Sequence, residues 1–200
     1  MIKEAKKLAY YTLKNEIRRA LAKYYLLWST FPALYSPIYY IIDSLSLKSF
    51  LLYSISFLIP IFIYISLTFV FFNKVAKVWG KFYKIYPEIN REQKGKFFIL
   101  YSLIGILLLI LLIIYSYYDL NSVFEEILEV FYVGLVLVGL YYSYRMVGLR
   151  YYDVVALVSF TVLMTLSNLN NIISVFTYSF FTISWIYAGY KSINEVAENE

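Results

Sequence analysis

Apolar residues run along this chain in long blocks, and polar and basic residues gather between them. A helix needs ~20 mostly apolar residues to cross the ~30 Å hydrocarbon core of a bilayer. Six blocks predict such helices: Tyr24–Ile42, Phe50–Phe72, Phe97–Tyr118, Val123–Tyr142, Tyr152–Ser167 and Ile172–Tyr190. The third is the cleanest, since only Gly105 interrupts the run from Leu103 to Ile114. The fifth is the shortest and covers only ~24 Å at the helical rise, so it calls for bilayer thinning or a longer true span. None of the blocks alternates over ~10 residues as a barrel strand would. Backbone groups inside lipid must pair within their own segment, which leaves helices. The expected fold class is therefore all-α: a polytopic bundle of six transmembrane helices in three hairpins, with outer turns near 43–49, 119–122 and 168–171.

Two polar stretches also carry a helical period. In the first 23 residues, Ala5, Ala9, Leu13, Ile17 and Ala20 share one side. Lys3, Lys7, Lys14 and Arg18 cluster about 120° away. This pattern predicts an interfacial amphipathic helix lying in the headgroup plane, its lysine stems reaching up to water. In the second stretch, 73–86, Lys74, Lys77, Lys81 and Lys84 fall on one face. Val75, Val78, Phe82 and Ile85 oppose them with Trp79 alongside, and Pro87 ends the pattern. The expected organisation is a single integral membrane domain. It comprises the interfacial helix 1–23, a bundle 24–190 with a cytoplasmic loop 73–96, and a cytoplasmic tail 191–200.

Composition strengthens the membrane reading. The chain is 62% hydrophobic and 16% charged, against ~45–50% and ~25% in soluble domains. A 200-residue globule exposes too much of its surface to keep that much apolar area from water. Tyrosines and tryptophans collect near the predicted span ends, as an interfacial belt does. Of the 18 lysines and arginines, only Lys48 falls on the outer set of connections, which places both termini in the cytoplasm. Basic residues recur throughout the first 23 positions, so the first span is expected to act as an uncleaved anchor.

The inventory of reactive groups is thin. With no cysteine and no histidine, disulfide scaffolds, thiolate zinc sites and histidine catalysis are excluded. No phosphate-binding glycine loop or nucleophile elbow is present. Neither a cofactor nor an enzymatic activity is expected. Intramembrane ionisable groups usually mark function, and here they sit near span ends. Glu125, Glu126 and Glu129 open the fourth span, where acids suit the helix dipole. Asp153 opens the fifth, close in sequence to Arg145 and Arg150, and pairing with one of those arginines is expected. Pro32, Pro37 and Pro60 interrupt the first two spans. Hydroxyls including Thr161 and Thr165 line the fifth span and let helices approach closely. With Glu126, Glu129, Asp153, Asn168 and Asn171 they make a candidate polar path.

The expected surroundings are a bilayer with anionic headgroups, with a cytoplasmic ATPase or other membrane subunits as candidate partners; nucleic acid is not expected, because no recognition module is present. The residues assigned to the lipid surface or to docking are Lys74, Lys77, Trp79, Lys81, Phe82 and Lys84. The layout resembles the general plan of exporter-type ABC permeases. That likeness rests on no sequence motif, and the outer element such permeases often carry before the last span is reduced here to 168–171. The leading expectation is a permease-like membrane subunit of a transport system energised by a separate protein. The alternative is a non-catalytic structural or assembly subunit of a membrane complex.

Overall fold

A computed structural model describes residues 2–44, 50–85, 103–108, 110–111, 114, 118, 122–167 and 171–198. The predicted outer turn near 43–49 and the polar stretch after 85 lie largely outside these residues.

The first helix, α1, runs unbroken from Ile2 to Ser29. It therefore passes straight through position 23, where the sequence suggests a change from interfacial helix to span. The interruption comes at Thr30, just before Pro32, whose missing N–H cannot bond the carbonyl of Trp28. α2 then covers Phe31–Ser44 and keeps Pro37 inside it. Two bonds bridge the break: Leu34 N–H donates to the Thr30 carbonyl at 3.2 Å, and the Thr30 hydroxyl donates to the Leu27 carbonyl at 2.7 Å.

α3 spans Phe50–Ile85, 36 residues including Pro60. At 1.5 Å per residue it is ~54 Å long, well beyond a ~30 Å hydrocarbon core. The amphipathic stretch expected in a loop is thus the continuation of α3 rather than a separate helix. A helical stretch at 103–108 follows, within the third predicted span, and a Cβ added at Gly105 would meet Leu135 at 3.3 Å. α4 covers Ser122–Val147, α5 Tyr151–Leu166 and α6 Asn171–Glu198. Every described element is a helix. Two of them contain stretches long and apolar enough to cross a membrane: Leu58–Val78 in α3 and Ile172–Glu198 in α6.

The core forms around α1. Leu13, Ile17, Ala20, Leu21 and Tyr25 are buried against α3 and α6, together with Val75, Trp185 and Ala188. α5 packs mainly on α6. α1 and α6 approach closely because small residues face each other. Ala22 and Ala188 are fully buried, and a Cβ on Gly189 would sit 2.7 Å from Leu26 Cγ and 3.2 Å from the Ala22 carbonyl oxygen. Small residues at such a crossing exchange side-chain volume for backbone proximity. Large apolar side chains face outward, among them Phe62, Val70, Phe131, Ile172, Val175 and Ile183.

Candidate functional site

The principal site among the described residues is a cluster of charged and phenolic groups at one end of the bundle. It is built from four helices and one turn. The turn joins α4 to α5 through Gly148, Leu149 and Arg150. Gly148 takes φ +84°, the left-handed conformation that ends a helix without a Cβ penalty, and its N–H caps the Tyr144 carbonyl at 2.7 Å. Arg150 then begins α5, and Asp153 at the third helical position accepts the Arg150 backbone N–H at 2.9 Å. The carboxylate is held at the helix start by local chemistry, where it also suits the dipole.

Asp153 pairs with neither Arg145 nor the Arg150 guanidinium. Its partner is Arg18 of α1, whose Nη1 donates to Oδ1 at 3.0 Å and Oδ2 at 2.8 Å. Both side chains are almost wholly removed from solvent, at 2% and 0% exposure. The Arg18 Nη2 donates to the Gly148 carbonyl at 2.7 Å. Its Nε stands 3.3 Å from Glu195 Oε2, within ion-pair range but off the direction a hydrogen bond needs. Glu195, near the end of α6, also accepts from Arg150 Nε at 3.2 Å and Nη2 at 2.9 Å, and from the Tyr152 hydroxyl. The Tyr152 ring lies under the Arg18 guanidinium, 5.4 Å from centroid to Cζ, and adds a cation–π contact.

Two more phenols complete the cluster. The Tyr25 hydroxyl donates to Asp153 Oδ1 at 2.9 Å and is hydrogen-bonded to the Tyr144 hydroxyl. Tyr25 has one proton and gives it to the carboxylate, so Tyr144 donates to Tyr25. Burial holds the Tyr144 phenol well above the ordinary phenol range, which keeps that proton in place at physiological pH. The Arg150 guanidinium is held above its ordinary value by its hydrogen bonds to Glu195 and by that carboxylate's charge.

The charges close. Arg18 and Arg150 supply two positive charges, and Asp153 and Glu195 two negative ones. An aromatic layer separates the cluster from the middle of the bundle. Trp185 is edge-on to Tyr25 at 5.3 Å, packs on Phe181 at 4.6 Å, and donates its indole N–H to the Ala156 carbonyl at 2.9 Å. Removing buried ions from water costs several kcal/mol each, and close pairing offsets this only when geometry is good. What such a self-neutralised cluster can do is fix which helices meet and in what register.

Among the described residues, the members of the candidate polar path are spread along α4 and α5. Glu126 is exposed and Glu129 half-buried near the start of α4, whereas Tyr144, which reaches the Asp153 cluster, lies 15 residues further along the same helix. That separation is ~22 Å. Thr161 and Thr165 spend their protons on the helix itself, donating to the Leu157 carbonyl at 3.0 Å and the Thr161 carbonyl at 2.9 Å. Asn168 lies outside the described residues, and Asn171 opens α6 with its side chain outside them. Of the basic face on α3, Lys74, Lys77 and Lys81 are exposed, and Lys74 Nζ reaches Glu16 Oε1 at 2.8 Å. Val75 and Val78 lie on the face away from the lysines, as their spacing predicts, and that face packs into the core. The side chains of Trp79, Phe82 and Lys84 lie outside the described part.

Arg18, Tyr25, Tyr144 and Glu195 are absent from the sequence-based site residues. Arg18 reads there as one more cation of a polar face. A signal nonetheless exists. Arg18, Leu21, Ala22, Tyr25 and Ser29 follow a helical i, i+3, i+4, i+7, i+11 stripe, so Arg18 prolongs an apolar face, and all five are buried. No family profile, curated protein or solved structure matches this chain.

Proposed function

We propose that this chain is an integral membrane protein with both ends on the cytoplasmic side, serving as a non-catalytic structural or assembly subunit of a membrane complex. The observation that carries this reading is the buried pairing of Arg18 with Asp153, joined by Glu195 and Arg150, which ties helices distant in sequence together. Its polar groups join α1 to α5 and α6, and among the described residues Glu126, Glu129, Thr161 and Thr165 lie apart from it along α4 and α5.

The membrane part is supported by level. The cytoplasmic ends of five of the six proposed spans lie near Tyr24, Phe72, Tyr142, Tyr152 and Tyr190. In the fold Tyr24 packs on Phe72 at 6.4 Å and on Trp185 at 5.5 Å, and its neighbour Tyr25 bonds to Tyr144 and Asp153. Contacts between residues near ends assigned from hydropathy and charge support a common membrane surface for this reading. Above that layer large apolar side chains such as Phe62, Phe131 and Val175 face outward.

The permease-like reading is favoured by one feature, the length of α3, which carries Lys77 and Lys81 past its apolar part as a rigid arm. Such an arm suits contact with a separate energising protein.

The chain has no cysteine, so single-cysteine variants report position cleanly. Lys7→Cys and Lys191→Cys should react with an impermeant maleimide only from the cytoplasmic face, and Ser44→Cys only from the outer face. Release from membranes by alkaline carbonate, or labelling of Lys7→Cys and Lys191→Cys from opposite faces, would overturn the membrane reading. Isolation in a stoichiometric complex without nucleotide-hydrolysing activity supports the assembly role. Stable co-isolation with an ATPase supports transport instead.

A further inference from the structure

On α3, Leu52, Ile59, Ile63 and Val70 share one angular strip with Lys74, Lys77 and Lys81, since all are separated by multiples of three, four or seven residues. All seven are exposed: Leu52 at 44%, Ile59 at 53%, Ile63 at 49%, Val70 at 64%, Lys74 at 65% by its side chain, and Lys77 and Lys81 likewise. The strip is mostly apolar up to Val70 and cationic from Lys74, one helical turn later. From Ile59 to Val70 it runs for ~16 Å, about one leaflet of a ~30 Å core.

The neighbouring edge of α1 adds to the cationic end. Lys23 lies against the Phe71 ring at 5.9 Å, and Glu16 holds both Lys74 at 2.8 Å and Arg19 at 3.1 Å. Among the described residues, one carboxylate thus positions two of five cations, and the patch keeps a net positive charge.

We propose that this strip is a binding site for an anionic phospholipid, with the headgroup phosphate among Lys74, Lys77, Lys81 and Lys23 and an acyl chain along Ile59, Ile63 and Val70. The inference rests on the membrane reading above and names one lipid class within it. Charge complementarity identifies the headgroup. The mostly apolar continuation, interrupted on the strip by Ser66, favours a lipid over an acidic protein, which would have no use for a leaflet-length hydrocarbon face. Polybasic segments at a membrane surface gain affinity with each lysine and lose it with salt.

The test titrates the full chain, purified in neutral detergent, with phosphatidylglycerol, and counts retained lipids by native mass spectrometry. Phosphatidylcholine and free glycerol 3-phosphate serve as comparators. Phosphatidylglycerol should be retained preferentially, and Lys74→Gln/Lys77→Gln/Lys81→Gln should weaken it by about tenfold or more. Lys77→Gln/Lys81→Gln, which leaves the Lys74–Glu16 pair intact, should show a smaller loss in the same direction. Lys7→Gln/Lys14→Gln, on the opposite flank of α1, should bind as the wild type does. Val70→Ser should weaken the lipid and leave any glycerol 3-phosphate binding unchanged.

Equal binding by the triple variant would overturn the site. Equal affinity for glycerol 3-phosphate and phosphatidylglycerol would reassign it to a soluble phosphate. Retention of polyglutamate at these lysines without competition from phosphatidylglycerol would reassign it to an acidic protein. Carbonate extraction separates the two failures: a chain that stays embedded while the triple variant binds normally sinks the lipid site alone.

Discussion

The guanidinium of Arg18 and the carboxylate of Asp153 lie 135 residues apart in sequence, and a single nitrogen of the arginine bonds both carboxylate oxygens at 3.0 and 2.8 Å. The pair joins a helix near the start of the chain to one near its end. Glu195 and the Gly148 carbonyl hold the same arginine from two further directions.

Breaking that pair from one side leaves a charge without its partner. Arg18→Met and Asp153→Leu should each destabilise the fold by ~3–5 kcal/mol. The double variant should lose much less than the sum, because the orphaned charge is gone. Thermal unfolding in detergent of the four members of the cycle measures the coupling. Additive losses would show that the two groups do not act as a unit.

The tyrosines are ranked by what each proton does. Tyr25→Phe removes the donor to Asp153 and the acceptor for Tyr144, and should cost ~1.5–3 kcal/mol, the range for bonds to charged groups. Tyr144→Phe leaves the Tyr25–Asp153 bond in place and should cost ~0.5–1.5 kcal/mol. The reverse order in unfolding midpoints would contradict the direction assigned to this hydrogen-bond chain.

Two glycines should respond with opposite sign. A Cβ at Gly134 meets nothing within 4 Å, so Gly134→Ala should be neutral or stabilising by up to ~1 kcal/mol through helix propensity. At Gly189 the same Cβ meets Leu26 Cγ at 2.7 Å and the Ala22 carbonyl oxygen at 3.2 Å. Gly189→Ala should destabilise by ~1–3 kcal/mol, and Gly189→Leu should part α1 from α6. A disulfide between cysteines placed at Ala22 and Ala188 should form less readily in the Gly189→Leu background.

Beyond the cluster, α1 is braced to α3 by the Trp28 indole N–H, which donates to Thr68 Oγ1 at 3.1 Å. Thr68→Val keeps the shape and removes the acceptor, and should cost ~1 kcal/mol. Trp28 fluorescence in a Trp79→Phe/Trp185→Phe background should shift as that hydrogen bond is lost; an unchanged spectrum and midpoint would count against the brace.

Much of the architecture was legible in the sequence. The 3.6-residue period and the length of the apolar blocks gave the helical character, the placing of Val75 and Val78 on the face opposite the lysines, and the short fifth helix over Tyr151–Leu166. Asp153 was readable as a helix-start carboxylate, because capping depends on three or four neighbours in the chain. Local pattern suggested breaks at the wrong places. Lys23 looked like the end of an interfacial helix, but α1 continues to Ser29, since no proline or glycine stands there to stop it. Likewise Lys74, Lys77 and Lys81 extend α3, which runs on through Gly80 to Ile85.

The sequence by itself determined the helical character of the chain and the helix-start role of Asp153, because each depends on residues within a turn or two. Tertiary structure alone decided that Asp153 meets Arg18 rather than Arg145 or Arg150, that Glu195 joins them, and that Gly189 lets α6 against α1. Those choices are made by packing between segments far apart in the chain, where a buried charge takes whichever opposite charge the helix crossings bring within ~3 Å.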